Sequence, residues 1–417
     1  MTASSKPAVA FPAGAVRGRL EKSLPLAPAA TVGGYPLAVA GVAQGLLVAW
    51  PQAVGLYDPR DGREIALWPP RPDPARAFAA PPVFHSGGPV VVDPVGPRIV
   101  WLYAATLAER ASLDLSTLEL AGLRSEGRRV SAFTVIENGD VFAVVTGPTN
   151  GKFHTVLALF APDGRHESSD WLSIEPPRSI VYLESGIYVA LQNAVLRFPV
   201  EALEDETVVR AELDDVVDRL WPSPDGRFLI ATGDGSRQIH LFRLDPAGEP
   251  PMQRVLAGAY APKTEQSPEG WRFWNLDTPP IPDPAPLLHP AVAWDETSRF
   301  AVVGDQNGVA ALIEPNAPTA AKIMLEAGIA FFPWDTSPPN GIQIVNRTNA
   351  ARLLLDWDFE ASLALAAEAE ASEARPAKQE NIPATEPPGA TRPLWFYAAL
   401  ALIGAAAAYV GVWLLSR

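Results

Sequence analysis

Seven short apolar runs recur along the chain, centred near Leu46, Val90, Val141, Ile187, Phe228, Phe300 and Ile342. Most lie about 40–50 residues apart. Between them fall clusters of Gly, Pro, Asp and Asn, the residues that reverse a chain. This recurrence restricts the fold more than any other feature. A unit of that length holds four short strands, and such a unit buries its faces only against a neighbouring copy. The copies must stack, and the stack must close. With 44 prolines and 31 glycines in 417 residues, the repeated region has no room for long helices. Hydrophobic residues, at 48%, are sufficient for a substantial core.

The clearest copy runs from Leu220 to Leu244. Pro224-Asp225-Gly226 suits a tight turn, proline setting one φ and glycine allowing a positive one. Phe228–Thr232 is a short apolar run, as for a strand covered on both faces. Gly233-Asp234-Gly235 reverses the chain again, and Ile239–Phe242 continues as a strand. Ser223-Pro224-Asp225-Gly226-Arg227 with Ile239-His240-Leu241-Phe242 resembles a blade of a WD40-like (YVTN-type) β-propeller. Trp294–Gly304 with Asn307–Ile313 repeats the plan. Leu56–Gly62, Leu159–Gly164 and Leu241–Gly248 are three versions of one strand exit into a turn. The resemblance implies an all-β propeller of about seven four-stranded blades over residues 36–359. No Gly-His pair recurs and no Trp-Asp pair closes a blade, so it names no subfamily. Ring closure is expected to pair the segment before Pro36 with strands near Leu353–Phe359. Residues 1–35 read as a flexible arm in which Ala15–Leu26 forms an edge strand. The long interval from Phe228 to Phe300 places a Pro-rich insertion at 246–290.

The C-terminus has a different character. Leu394–Leu415 carries no charge and, as a helix, would be about 33 Å long, enough to cross a bilayer of about 30 Å. Trp395, Phe396 and Tyr397 mark one edge of it, and Tyr409 and Trp413 the other. Gly404, Ala408 and Gly411 share a side on which another transmembrane helix could pack, against the alternative of an alanine-rich anchor with no such role. Residues 360–393 read as a short Ala/Glu helix followed by a Pro-rich tether. No apolar export signal follows Met1, which makes the cytosolic face of a membrane the expected address of the body. Heavy use of Ala, Pro and Arg with few Lys fits a GC-rich genome, hence a bacterial inner membrane.

Composition excludes several chemistries. No cysteine means no disulfide, no thiol nucleophile and no Cys-ligated metal or cluster. A net charge of -14 repels nucleic acid, so no nucleic-acid partner is expected. No nucleophile elbow or dinucleotide fingerprint occurs. Gly147–Lys152 has the wrong spacing for a phosphate loop and reads as a hairpin turn. His85, His154, His166, His240 and His289 show no ligand spacing. Asp356 and Asp358 share a strand face, which reads as a charged edge beside Trp357. Asn346-Arg347-Thr348 matches a glycosylation acceptor, without meaning in a cytosolic body. No catalytic residue, metal ligand or cofactor site is assigned.

Two stretches stand out as contact candidates. Trp271, Arg272, Phe273 and Trp274 in the insertion combine side chains favoured as interface anchors, or else they pack the loop on the rim. The acidic stretch holding Glu204, Asp205, Glu206, Asp214 and Asp215 is either a docking surface for a basic partner or a solvated connection. The expected function is non-enzymatic: a tail-anchored scaffold, assembly factor or accessory subunit, contacting the lipid bilayer and membrane proteins of a larger complex. The alternative is a propeller enzyme, a metal-dependent hydrolase or lactonase with its site in the central channel.

Overall fold

The structure, a computed structural model, describes residues 16–356 apart from 27–31, 33, 94–95, 137, 150–151, 172–176, 199–208, 214–215, 237–238, 245–252, 258–285, 307, 309, 316–318, 326–329 and 338–339. Contacts divide the chain into two units, Met1–Ala369 and Glu370–Arg417. The second lies wholly outside the described residues.

A first strand, β1 (Val16–Pro25), precedes seven groups of strands. Blade 1 holds β2 (Ala38–Val42), β3 (Gly45–Ala49), β4 (Val54–Tyr57) and β5 (Glu64–Trp68). Blade 2 holds β6 (Val83–His85), β7 (Gly88–Val92), β8 (Arg98–Leu102) and β9 (Glu109–Asp114). Blade 3 holds β10 (Arg129–Val135), β11 (Val141–Thr149), β12 (Lys152–Phe160) and β13 (His166–Trp171). Blade 4 holds β14 (Ser179–Leu183), β15 (Gly186–Leu191), β16 (Ala194–Phe198) and β17 (Val209–Glu212). Blade 5 holds β18 (Arg219–Pro222), β19 (Phe228–Thr232), β20 (Ile239–Arg243) and β21 (Gln253–Ala257). Blade 6 holds β22 (Ala291–Trp294), β23 (Ala301–Gly304), β24 (Ala310–Glu314) and β25 (Thr319–Leu325). Blade 7 holds β26 (Phe332–Ser337), β27 (Gly341–Val345) and β28 (Asn349–Asp356), and takes β1 as its fourth strand. The chain folds as a seven-bladed β-propeller.

Within each blade the strands pair antiparallel in chain order. The turns joining strands one to two and three to four therefore share one face of the ring, here face I. The turns joining strands two to three, and the blade-to-blade crossovers, share the opposite face II.

The second strand of every blade coincides with one of the seven apolar runs. Five of them, β3, β7, β15, β19 and β23, are buried at every residue. A neighbouring blade covers each side, which is why the runs are apolar throughout and do not alternate. Among the described residues, buried apolar side chains form seven clusters, one at each contact between successive blades. Alternate residues of one strand serve opposite contacts: Leu46 and Val48 face blade 7, and Leu47 and Ala49 face blade 2. The core is thus a ring of layers rather than one centre.

Closure follows the expected pairing and adds to it. β1 runs antiparallel to β28, with Gly18 opposite Leu355 and Leu20 opposite Leu353. A bulge falls between Leu20 and Lys22, and Glu21 pairs with Arg352 at 3.4 Å. The first residues of β1 also pair parallel with β25, Val16 opposite Ile323 and Gly18 opposite Leu325. Over that stretch β1 is not an edge strand, because the end of β25 reaches alongside it. Blades 6 and 7 merge into one eight-stranded sheet.

The repeated turn has a repeated mechanism. In blade 5, Ser223 Oγ accepts from Phe228 N at 2.9 Å and donates to Asp225 Oδ1 at 2.7 Å. In blade 6 a single carboxylate does this work: Asp295 accepts from Phe300 N at 2.9 Å and Thr297 N at 3.2 Å. Ser298, at φ 60, occupies the place of Gly226, at φ 67, and its Oγ accepts from Asp225 N at 3.0 Å. The two turns are thereby tied across the blade contact. Asp295→Ala leaves partly buried N–H groups without this acceptor and is expected to cost about 1–2 kcal/mol, read from the denaturation midpoint. An unchanged midpoint would contradict this role.

Gln253–Ala257 pairs with β20, so the excess in blade 5 begins only after Ala257 and not at residue 246. Gly147–Lys152 is a hairpin: Thr149 stands opposite Lys152, with Asn150 and Gly151 between them in the chain. Among the described residues no helix is long and apolar enough to cross a membrane; residues 394–415 lie outside them.

Candidate functional site

Face I carries a cleft beside blade 1. It measures about 590 Å³ and lies between the β2–β3, β6–β7 and β8–β9 turns, walled by Val42, Ala43, Leu47, Phe84, Ala104 and Ala105. At its rim Tyr103 is 51% exposed, more than any other large hydrophobic side chain among the described residues. The β8–β9 turn explains this. Tyr103 N donates to Ala108 O and Leu107 N to Tyr103 O, both at 2.9 Å, closing a tight loop. Leu107, at φ 54, is turned inward and buried, while Tyr103 is left outside. On the other side of the β2–β3 hairpin a second cleft, of about 380 Å³, separates blade 1 from blade 7. Leu24, Leu46, Pro59 and Trp334 line it. A side chain at Gly41 would come within 3.0 Å of the Trp334 ring. The hairpin is therefore a narrow apolar ridge with a recess on each flank.

Among the described residues no acidic side chain lines the larger cleft. His85 Nδ1 accepts from Gly87 N at 3.2 Å, which leaves the proton on Nε2. Burial, and then the nearby Arg110 charge, hold the His85 pKa below its ordinary value, so the ring is neutral near pH 7.

On face II one side chain spans the ring. Arg219, at the start of the inner strand of blade 5, donates across the ring to Leu37 O at the start of blade 1. It also lies 5.6 Å from the centre of the Trp221 ring. Burial pushes its pKa down to about 10, against the opposing influence of Asp218, so it stays charged at neutral pH. Asp218 is engaged by Arg178 and accepts from Asp234 N at 2.8 Å, and Asp234 accepts from His289 N at 2.9 Å. These groups hold crossovers in place, and a recess of only about 170 Å³ remains among them.

One buried acid stands apart. Glu314, at the face I end of β24, is 2% exposed, and neither carboxyl oxygen has a hydrogen-bond partner among the described residues. Burial raises its pKa from the ordinary 4.5 to about 7. The folded state thus holds the proton more tightly than the unfolded chain. Its contribution is complete below about pH 4.5 and is lost as pH rises through about 7. Glu314→Gln is expected to flatten that part of the stability profile and, at pH 8, to stabilise the protein by on the order of 3 kcal/mol. Parallel pH profiles for the two proteins would refute the assignment.

The contact candidates drawn from sequence, Trp271–Trp274, Glu204–Glu206, Asp214 and Asp215, and Gly404, Ala408 and Gly411, all lie outside the described residues. So does Asp358, whereas Asp356 is exposed at the end of β28. The histidines are dispersed over blade 2 (His85), blade 3 (His154, His166), blade 5 (His240) and the crossover into blade 6 (His289). Among the described residues no group of three or more His, Asp or Glu is placed to hold a metal ion. Asn346 has a structural part: its Oδ1 accepts from Thr348 N at 2.9 Å and Asn349 N at 2.8 Å, fixing the β27–β28 turn. Tyr103 was not singled out in sequence. Its signal was an aromatic residue followed by Ala104, Ala105 and Thr106 where a polar turn is usual.

No family model and no curated protein sequence matches the chain. Solved structures do. A streptogramin B lyase structure aligns with TM-score 0.53 and 12% identity, over 81% of this chain and 98% of that one. The β-propeller domain of Myceliophteria thermophila Cps50 (Swd1) aligns at 0.50 and 9%, over 81% and 99%. The Neurospora crassa Pan2 WD40 domain aligns at 0.51 and 10%, over 77% and 89%. At such identities the likeness is one of fold, and the same fold carries an enzyme and WD40 domains. Function has to be argued from the surface.

Proposed function

We propose that the protein is a membrane-anchored interaction scaffold, an accessory or assembly subunit that holds a partner on face I of blades 1 and 2. The observation that carries this is the apolar cleft of about 590 Å³ with the half-exposed Tyr103 at its rim. Exposed aromatic anchors beside a recess are the usual centre of a protein contact. The described chain leaves the propeller at Asp356, at the end of the third strand of blade 7 and hence on the same face. The sequence beyond it supplies the tether and the span of residues 394–415. A Pro-rich tether of that length reaches on the order of 25 Å.

The test is gentle detergent extraction of the full chain with an N-terminal tag, comparing Tyr103→Ser with the native protein. A defined set of membrane proteins is expected with the native chain and to be lost with Tyr103→Ser. An identical set with both places the contact elsewhere. Gly404→Leu with Gly411→Leu asks separately whether the span itself contributes to the contact. Stoichiometric bound metal in the purified protein would favour the hydrolase alternative.

A further inference from the structure

We infer that the cleft between blades 1 and 2 takes an extended peptide segment of the partner in which an apolar side chain is flanked by carboxylates. This rests on face I being the contact surface and adds the chemistry of what is bound there.

The apolar part follows from the walls. Val42, Leu47, Phe84 and the two alanines offer no charge, and Tyr103 can close over an inserted side chain. The acidic part follows from what surrounds the walls. The chain carries a net charge of -14, yet among the described residues no acidic side chain lines this cleft. His85 and Arg110 lie together at its blade 2 end. A side chain at Gly87 would come within 2.6 Å of His85 Cε1 and 3.2 Å of Arg110 Nη1. Gly87 thus lets both groups fold over the β6–β7 turn. Gly139, in the first turn of blade 3, approaches the same pair: a side chain there would lie 3.5 Å from each. Its backbone is held in place by Trp101 Nε1, which donates to Gly139 O at 2.9 Å. Two glycine-lined turns therefore frame a guanidinium and an imidazole N–H. Those are donors suited to carboxylates, with Arg110 supplying the charge and His85 Nε2 a neutral donor.

The chain has no cysteine, so Ser86→Cys, an exposed position in the cleft, accepts a single environment-sensitive fluorophore. The labelled full chain in detergent is titrated with the peptides Glu-Glu-Leu-Phe-Glu-Glu and Lys-Lys-Leu-Phe-Lys-Lys. The acidic peptide is expected to bind about tenfold tighter. Arg110→Glu is expected to reverse that order, and Tyr103→Ser to weaken both. Equal affinities, no response to either peptide, or a preference unchanged by Arg110→Glu would each overturn the inference. A partner that crosslinks at position 103 while acidic peptides fail to bind leaves the scaffold reading standing and removes only the proposed chemistry.

Discussion

Gly62→Ala is expected to destabilise the propeller by about 3–5 kcal/mol and to act by forcing apart the seam where the ring closes. Gly62 lies in the β4–β5 turn of blade 1, at φ 73, and its N–H donates to Asp58 O at 2.9 Å. A Cβ there would sit 1.8 Å from the carbonyl oxygen of Pro25, the last residue of β1. Neither partner of that clash is a flexible side-chain end, so the turn or the closing strand has to move. Gly226→Ala is the control. It has nearly the same φ, 67, but no atom stands within 4 Å of the added carbon. It should cost only the conformational penalty, about 1–2 kcal/mol. The difference between the two denaturation midpoints isolates the seam. Equal losses would mean that β1 does not pass against blade 1 as described.

Arg128→Met is expected to cost about 3–5 kcal/mol, although the replacement is of similar length and better suited to burial. Arg128 is 6% exposed and has no acidic partner among the described residues. Its guanidinium instead donates to backbone carbonyls: Nε to Arg124 O at 2.8 Å, Nη1 to Leu118 O at 2.7 Å and to Leu115 O, and Nη2 to Leu123 O. One side chain thereby organises the whole crossover from blade 2 to blade 3, including the 3-10 turn Leu115–Thr117. Methionine fills the space and removes these bonds, leaving Leu115 O with only the long contact from Leu118 N at 3.5 Å. Burial lowers the Arg128 pKa but leaves the group charged at neutral pH. Arg128→Lys should recover only part of the loss, since an ammonium lacks the planar fork that reaches carbonyls in several directions. If methionine is tolerated, the crossover is held by other contacts.

The parts of the fold that were legible in sequence are those dictated locally. A strand covered on both sides is apolar along most of its length, so the seven second strands announced themselves. The three versions of the strand exit, at Leu56, Leu159 and Leu241, proved to be the ends of the third strands of blades 1, 3 and 5. Trp294–Gly304 repeated the plan of the blade at Leu220–Leu244, while the match of Asp295 to Ser223 and of Ser298 to Gly226 emerged only from the turn geometry. The closing role of the N-terminal segment followed from the need of a ring to close. Its second pairing, with β25, did not, because parallel contact with a strand some 300 residues away leaves no mark on local pattern.

The candidate site was much less legible. The cleft beside Tyr103 is built from three turns on two blades, each unremarkable alone, and its lack of carboxylates appears only once they are assembled. Arg110, His85 and Gly139 come from β9, the end of β6 and the first turn of blade 3. Arg219 reaches across the ring to Leu37, just before the first strand of blade 1. Sequence reasoning favoured instead clusters that are contiguous along the chain, such as Trp271–Trp274 and Glu204–Glu206. Contiguity is what a sequence displays, whereas a propeller assembles its surfaces from separated turns.

A photo-crosslinking amino acid placed at Tyr103 in the full chain, irradiated in native membranes, tests whether face I of blades 1 and 2 meets the proposed membrane partner. Arg165, exposed in the β12–β13 turn of blade 3, serves as the comparison on the same face. The account predicts a discrete membrane-protein adduct from position 103 that is absent from position 165. No adduct at 103, or the same adducts from both positions, would contradict it.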